Sequence, residues 1–249
     1  MLPARTARRA RVAALASLQF GLATTDAELD GAFRLVHDQY VARGYMRAQP
    51  GGRRTTLHHA LPETRVFVAR ADGRVVATVS LVPDSILGMP CDALYPDEVQ
   101  ALRARGRRLA EVSSLAVADG ATGGGIEVVR ALVQLVAVYA SRLARIDDLC
   151  ITVNPRHARF YEALLRFVRF GPVRRYEAVN GAPAIGLRLD LATALASTPD
   201  AADVPFAAHL FTPAEIARVL PLLRRQERRL KRGHAHGPPP LASSAAAEV

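Results

Sequence analysis

Apolar residues recur along this chain with two periods, and the places where one period gives way to the other carry turn and cap residues. Leu18 to Ala23 predicts a first strand. Thr25 or Asp26 then caps a helix running to about Ala42, with Leu29, Phe33, Val36 and Tyr40 on one face at helical spacing. Arg65 to Ala71 and Arg74 to Val82 alternate as strands around Asp72-Gly73, a strong hairpin signal. The connector from Pro83 to Arg108 predicts a short helix after Pro96. Beyond it lie the strand Leu109 to Val117, the glycine-rich Asp119 to Gly125 and the apolar helical stretch Ile126 to Leu143. Leu149 to Val153 is a short, partly β-branched run suited to a strand covered on both faces. Tyr176 to Val179 and Ala184 to Leu189, separated by Asn180-Gly181, predict a final antiparallel pair. This order defines an α/β class, a mixed, twisted sheet flanked by helices.

Half of the 249 residues are hydrophobic, enough to bury one sizeable core. The expected organisation is a basic, poorly ordered extension over residues 1–17, a single domain over 18–195, a linker with an amphipathic helix over 196–232, and a disordered tail over 233–249. The helix is expected from Pro213 to about Leu230, because Thr212-Pro213-Ala214-Glu215 forms a capping box and Ile216, Val219, Leu220 and Leu223 make an apolar stripe. It could pack on the core, on a second subunit or on a carrier protein. No apolar run is long enough to span a bilayer free of charges. Cys91 and Cys150 are the only cysteines, so no disulfide framework is expected and a reduced cytoplasm is the natural setting.

The net charge of +10 is concentrated at the ends. Arg5, Arg8, Arg9 and Arg11 precede the first acidic residue, and Arg218 to Arg232 holds seven cations against Glu227, whereas residues 26–217 sum to only +1. A DNA-binding domain would carry its charge on the fold itself, so nucleic acid is a minor reading. The N-terminal segment is arginine-rich and acid-poor. Its second reading, after a poorly ordered extension, is a peripheral membrane contact.

Candidate chemistry lies in two strand-to-helix passages. In the segment DLCITVNPRHARFYEALLRF, Asn154 offers its side-chain oxygen to the orphan amides of a helix that has Pro155 at its first position and carries Phe160-Tyr161. In the other, LAEVSSLAV leads into glycines immediately before a helix. There the backbone can approach a ligand closely, and the free N–H groups and positive dipole end favour phosphate. His58-His59 has no carboxylate or cysteine at ligand spacing, and His234 and His236 on the tail make a weak site, so no metal is assigned.

These pieces, in this order, resemble the GNAT acyltransferases. More closely, the blocks HALPETRVFVA, GRVVATVSLVPDS, LAEVSSLAV, VNPRHARFY and YEAVNGAPAIGLRLDL resemble the FeeM-type N-acyl amino acid synthases, relatives of the acyl-homoserine-lactone synthases. The likeness covers roughly Phe20 to Leu191. It implies a GNAT-like sheet with a C-terminal helical extension. It also implies transfer of a long-chain acyl group from a pantetheine thioester, with acyl carrier protein preferred over coenzyme A, to the amine of an amino acid, and no permanently bound cofactor. The GNAT loop usually carries an Arg/Gln-x-x-Gly-x-Gly/Ala pattern. ADGATGGG keeps the glycines but has no basic or amide side chain at its start, which fits a donor arm carrying a single phosphate.

The resemblance also assigns roles. Glu111 is the expected base for the amine, and Tyr161 either the acid near the thioester sulfur or a half-buried core tyrosine. Leu115, Ala116 and Val117 would hold the pantetheine arm as an added strand, Gly123, Gly124 and Gly125 the phosphate. Asn154 serves as helix cap alone or also touches the arm. Arg34, in a block resembling the family's first helix, is the candidate for the acceptor's carboxylate, with Ser113 beside it. The related E-x-S-R block has an arginine where this chain has Ser114. Arg103, Arg105, Arg107 and Arg108 form a basic run that is either a solvated surface or a docking patch for the acidic carrier protein. An ordinary acetyl-CoA-dependent acetyltransferase and a non-catalytic carrier-binding module are the competing expectations.

Overall fold

The computed structural model describes residues 17–120, 125–196 and 212–234. Thr25 caps the first helix, α1 (Asp26–Ala42), by accepting the Glu28 N–H at 3.3 Å while the Glu28 side chain returns to the cap. Before it runs strand β1 (Gln19–Leu22); after it come β2 (Arg65–Ala71), β3 (Arg74–Pro83) and the short helix α2 (Pro96–Arg103). Asp72 and Gly73 both take positive φ, as the tight turn between β2 and β3 requires. Strand β4 (Leu109–Val117), helix α3 (Gly125–Arg142), strand β5 (Asp148–Val153) and helix α4 (Pro155–Leu165) follow in the predicted order. The chain then forms β6 (Val168–Arg169), β7 (Arg174–Tyr176), β8 (Ala182–Asp190), α5 (Leu191–Ala196) and α6 (Pro213–His234).

The end of the sheet departs from the sequence pattern. The strand expected at Tyr176 to Val179 ends at Tyr176, and residues 177–179 form a 3-10 turn instead. The β7–β8 register therefore joins Tyr176 to Ala182 across a five-residue loop, in which Asn180 and Gly181 both have positive φ. Two further 3-10 turns, over Leu57–Ala60 and Pro90–Ala93, bring loop residues against the sheet.

The strand order is β1-β2-β3-β4-β5-β8-β6, with β7 also paired to β8. Every pair is antiparallel except β4 with β5. Side chains on β2 sort by parity: Phe67 and Ala69 pack with α3, whereas Val66 and Val68 pack with α1 residues, so the two helices cover opposite faces. A smaller cluster, with Met89, Cys91, Tyr95, Leu109 and Cys150, fills the end of the sheet near α2. Tyr95 anchors it: its hydroxyl donates towards the Pro172 and Ala184 carbonyls at 2.8 and 3.1 Å. Its ring lies so close to Gly171 that a Cβ there would come within 2.4 Å.

Helix α6 packs on the core, against α3 and β1. Its Gln226 side chain accepts the Leu22 N–H at 3.0 Å on the edge strand. Glu227 receives the Arg65 guanidinium on both oxygens at 2.7 Å and the Tyr139 hydroxyl at 2.9 Å, with the two charged side chains only 8% and 9% exposed. No helix among the described residues is long and apolar enough to cross a membrane.

Candidate active site

β4 and β5 run side by side for three residues only. Leu109 faces Asp148, Ala110 faces Leu149 and Glu111 faces Cys150; beyond that pair no register continues. β4 goes on to Val117 with its other edge still held by β3, and β5 goes on to Val153 with its other edge held by β8. The two strands fork at Glu111. An irregularity on β4 accompanies the divergence. Ser80 pairs with Ser113 and Thr78 with Ala116, so Ser114 and Leu115 together stand opposite Val79 in a bulge that twists the strand, with Ser114 at φ 55°. On the β4 limb the buried Ser114 Oγ has no hydrogen-bond partner among the described residues, while on the β5 limb the Thr152 side chain stands towards Glu111.

Glu111 is 2% exposed. The backbone N–H of Cys91, on the turn after Pro90, donates to its Oε2 at 2.5 Å. Burial pushes the carboxyl up to about 7 against the pull of the Cys91 donors, so near neutral pH it can both take and return a proton. The hydrogen bond with Cys150, with burial adding to it, drives the Cys91 thiol upward as well, which keeps it neutral.

Two tyrosines, Tyr176 and Tyr40, stand towards Glu111, a grouping not evident in the sequence. Tyr176 donates its hydroxyl to the Pro90 carbonyl at 3.2 Å, one residue from Cys91, and its pKa is raised by burial and by Glu111. Tyr40 on α1 is raised by burial, with Glu111 adding to the rise and Arg54 opposing it. The Arg54 guanidinium lies 4.6 Å from the Tyr40 ring centre and donates to the Ala178 carbonyl at 3.3 Å. Tyr161 on α4 is half-buried against Phe160 and Phe167, and burial lifts it to about 12, so its hydroxyl stays protonated at neutral pH.

Ser113 lies beside Ser80 on the same sheet face as Glu111. Ser80 Oγ is 3.1 Å from His59 Nε2, and His59 Nδ1 accepts the Thr56 N–H at 3.0 Å. That acceptance assigns the ring hydrogen to Nε2, which donates to Ser80. Burial, with Arg54 adding to it, lowers His59 to about 4, so this imidazole is neutral. Among the described residues no three His, Cys, Asp or Glu side chains are grouped to hold a metal ion.

Asn154 caps α4, its side-chain oxygen accepting the Arg156 N–H at 3.1 Å. Gly125 opens α3; Gly123 and Gly124 lie outside the described residues, as do the N-terminal extension through residue 16 and His236. Arg34 sits apart from this cluster, 51% exposed and paired with Asp30 at 2.8 Å. The basic run before β4 differs from the free patch expected of it. Arg103 is divided between Asp84 and Asp92, Arg107 between Asp148 and Asp190, and Arg108 is held by Asp147. Carboxylates distant in sequence neutralise three of the four cations, leaving Arg105 exposed without a carboxylate partner among the described residues.

A half-open parallel pair in an otherwise antiparallel sheet, with helices on both faces, is the fold expected of a GNAT-like acyltransferase. A family model described as N-acyl amino acid synthase FeeM matches residues 31–190. The structure of FeeM, an N-acyl amino acid synthase from uncultured soil microbes, is 31% identical over 70% of this chain and 95% of that one, with a TM-score of 0.61. The chain belongs to the FeeM family of N-acyl amino acid synthases. The acyl-homoserine-lactone synthase LasI shares the fold at 19% identity and a TM-score of 0.55, over 70% of this chain and 89% of that one. BjaI, a coenzyme A-dependent acyl-homoserine lactone synthase solved with MTA, shares it at 21% and 0.51, over 67% and 77%. No curated protein sequence matches the chain.

Proposed function

We propose that this protein transfers a long-chain acyl group from a pantetheine thioester, carried by acyl carrier protein in preference to coenzyme A, to the α-amino group of an amino acid. The observation that carries this reading is the fork that begins at Glu111, with a carboxyl of raised pKa at its base. A pantetheine arm laid along the open edge of Leu115, Ala116 and Val117 extends the sheet by backbone hydrogen bonds. The orphan hydroxyl of Ser114 meets an amide group of the arm. An N–H of the same edge polarises the thioester carbonyl. Glu111 takes a proton from the attacking amine as the C–N bond forms. When the C–S bond breaks, the thiolate receives a proton from the Tyr161 hydroxyl, which the surplus proton on Glu111 restores through solvent. Gly123 and Gly124, with Gly125 at the start of α3, hold the single phosphate of the arm by backbone amides.

The product names both substrates. A bacterial host expressing the protein accumulates N-acyl amino acids, detected by mass spectrometry of extracted lipids, that are absent from hosts expressing Glu111→Gln. Their absence, with the protein soluble and folded, refutes the proposal. Turnover of purified protein with acyl carrier protein and with coenzyme A thioesters of one chain length decides the donor.

A further inference from the structure

We infer that Arg54 is the residue that recognises the carboxylate of the acceptor, and therefore that the acceptor must be a free amino acid rather than an amine, amide or ester; this rests on the function proposed above. Arg34, Arg53 and Arg54 are the candidate cations on and after the first helix, and their partners separate them. Arg34 and Arg53 both pair with Asp30. Arg54 lies over the Tyr40 ring instead and has no carboxylate partner among the described residues. Of the five N–H donors of its guanidinium, the Ala178 carbonyl takes one.

Arg54 also stands at one end of a continuous set of contacts that ends at the base. The Ala178 carbonyl it binds is two residues from Tyr176, Tyr176 binds the Pro90 carbonyl, and the next residue, Cys91, binds Glu111. Tyr40 and Tyr176 respond to the charges of both Glu111 and Arg54. Tyr176 thus lies on the path of contacts between Arg54 and Glu111, and Tyr40 carries the Arg54 guanidinium on its face. An amino acid presents the complementary pair, an amine to lose a proton and a carboxylate to be held, on adjacent atoms. A planar fork with spare donors matches a carboxylate in two parallel hydrogen bonds. Stacking on Tyr40 fixes that fork without consuming the donors along its edge.

The test measures acylation of a panel of amino acids and their carboxamides by the full chain, with a fixed acyl thioester donor. Wild type prefers the best free acid over its amide by about 100-fold or more in kcat/KM, and Arg54→Gln reduces that ratio to near 1 while the donor KM is unchanged. Arg54→Lys, which keeps the charge without the fork, gives an intermediate ratio and serves if Arg54→Gln does not fold. A merely structural role would lower both acceptors' rates equally. An unchanged acid-to-amide ratio in either folded variant overturns the inference while leaving the acyltransferase reading intact. Wild type that acylates no amino acid overturns both.

Discussion

Glu111 and Cys150 form the last pair of the parallel ladder between β4 and β5, and the sheet opens immediately beyond them. The same carboxyl that closes the ladder is bound by a backbone N–H from the Pro90 turn, so the base of the fork is fixed from two directions. Removing the charge without changing the shape tests its role. Glu111→Gln keeps an acceptor for the Cys91 N–H, and we expect kcat to fall by about 100-fold or more with the fold retained. In wild type, kcat/KM for the donor at saturating acceptor should rise through an ionisation near 7, the value to which burial lifts this group. A profile already flat at pH 6 would remove Glu111 as the base.

The same raised pKa predicts a stability cost. In the folded protein Glu111 holds its proton up to about 7, whereas an unfolded chain releases it in the usual carboxylate range. The folded state therefore binds more protons between those values, and stability falls as pH rises through that window. Glu111→Gln does not titrate. Its stability relative to wild type should improve by on the order of 3 kcal/mol between pH 4 and pH 8, read from denaturant midpoints at each pH.

Tyr161 should matter to the leaving group and little to the fold. Its ring contacts with Phe160 and Phe167 persist in Tyr161→Phe. We expect kcat to drop by about 10- to 100-fold with the melting temperature within a few degrees of wild type. A thioester with a more acidic thiol should recover much of the loss, because its thiolate leaves without help. Equal losses for both thioesters would assign Tyr161 to packing alone.

The buried Arg65–Glu227 pair fastens α6 to the sheet. Glu227→Ala leaves the Arg65 guanidinium buried without its carboxylate and should cost about 3–5 kcal/mol, whereas Arg65→Met with Glu227→Leu should be close to neutral. Burial raises the Glu227 pKa, but the Arg65 and Tyr139 hydrogen bonds outweigh it and hold the group below its usual value. Its contribution is thus present at neutral pH and is lost as pH falls through the lowered value. Hydrogen exchange of residues 213–234, followed from pH 7 down to below the usual carboxylate range, checks both statements.

Gly171→Ala sets a Cβ against the Tyr95 ring, whose carbonyl anchors fix the cluster holding Cys91. The ring must move. We expect a loss of about 1–3 kcal/mol together with lower kcat, since the Cys91 N–H would shift from Glu111. Loss of stability with kcat intact would show that the Pro90 turn is held by other contacts.

Most of the architecture was legible in the residues themselves. Thr25 and Glu28, Asn154 and Pro155, Asp72-Gly73 and the apolar parity of β2 and β4 act over a few positions, so they fixed α1, α4, the β2–β3 turn and a mixed sheet without reference to the fold. Glu111 stood out only through the resemblance of LAEVSSLAV to the related E-x-S-R block, since nothing in its local pattern shows that its side chain is buried. The departures have one cause: partners far apart in sequence. The arginines from Arg103 to Arg108 read as a free basic run, yet Asp84, Asp92, Asp147, Asp148 and Asp190 meet three of them only after the chain has crossed the sheet. Arg34 and Arg54 look alike in the sequence, and only tertiary packing gives Asp30 to the first and the Tyr40 face to the second. The pKa of Glu111 and the divergence of β4 from β5 were likewise decided in three dimensions, because desolvation and the end of a ladder depend on what surrounds a residue and not on its neighbours along the chain.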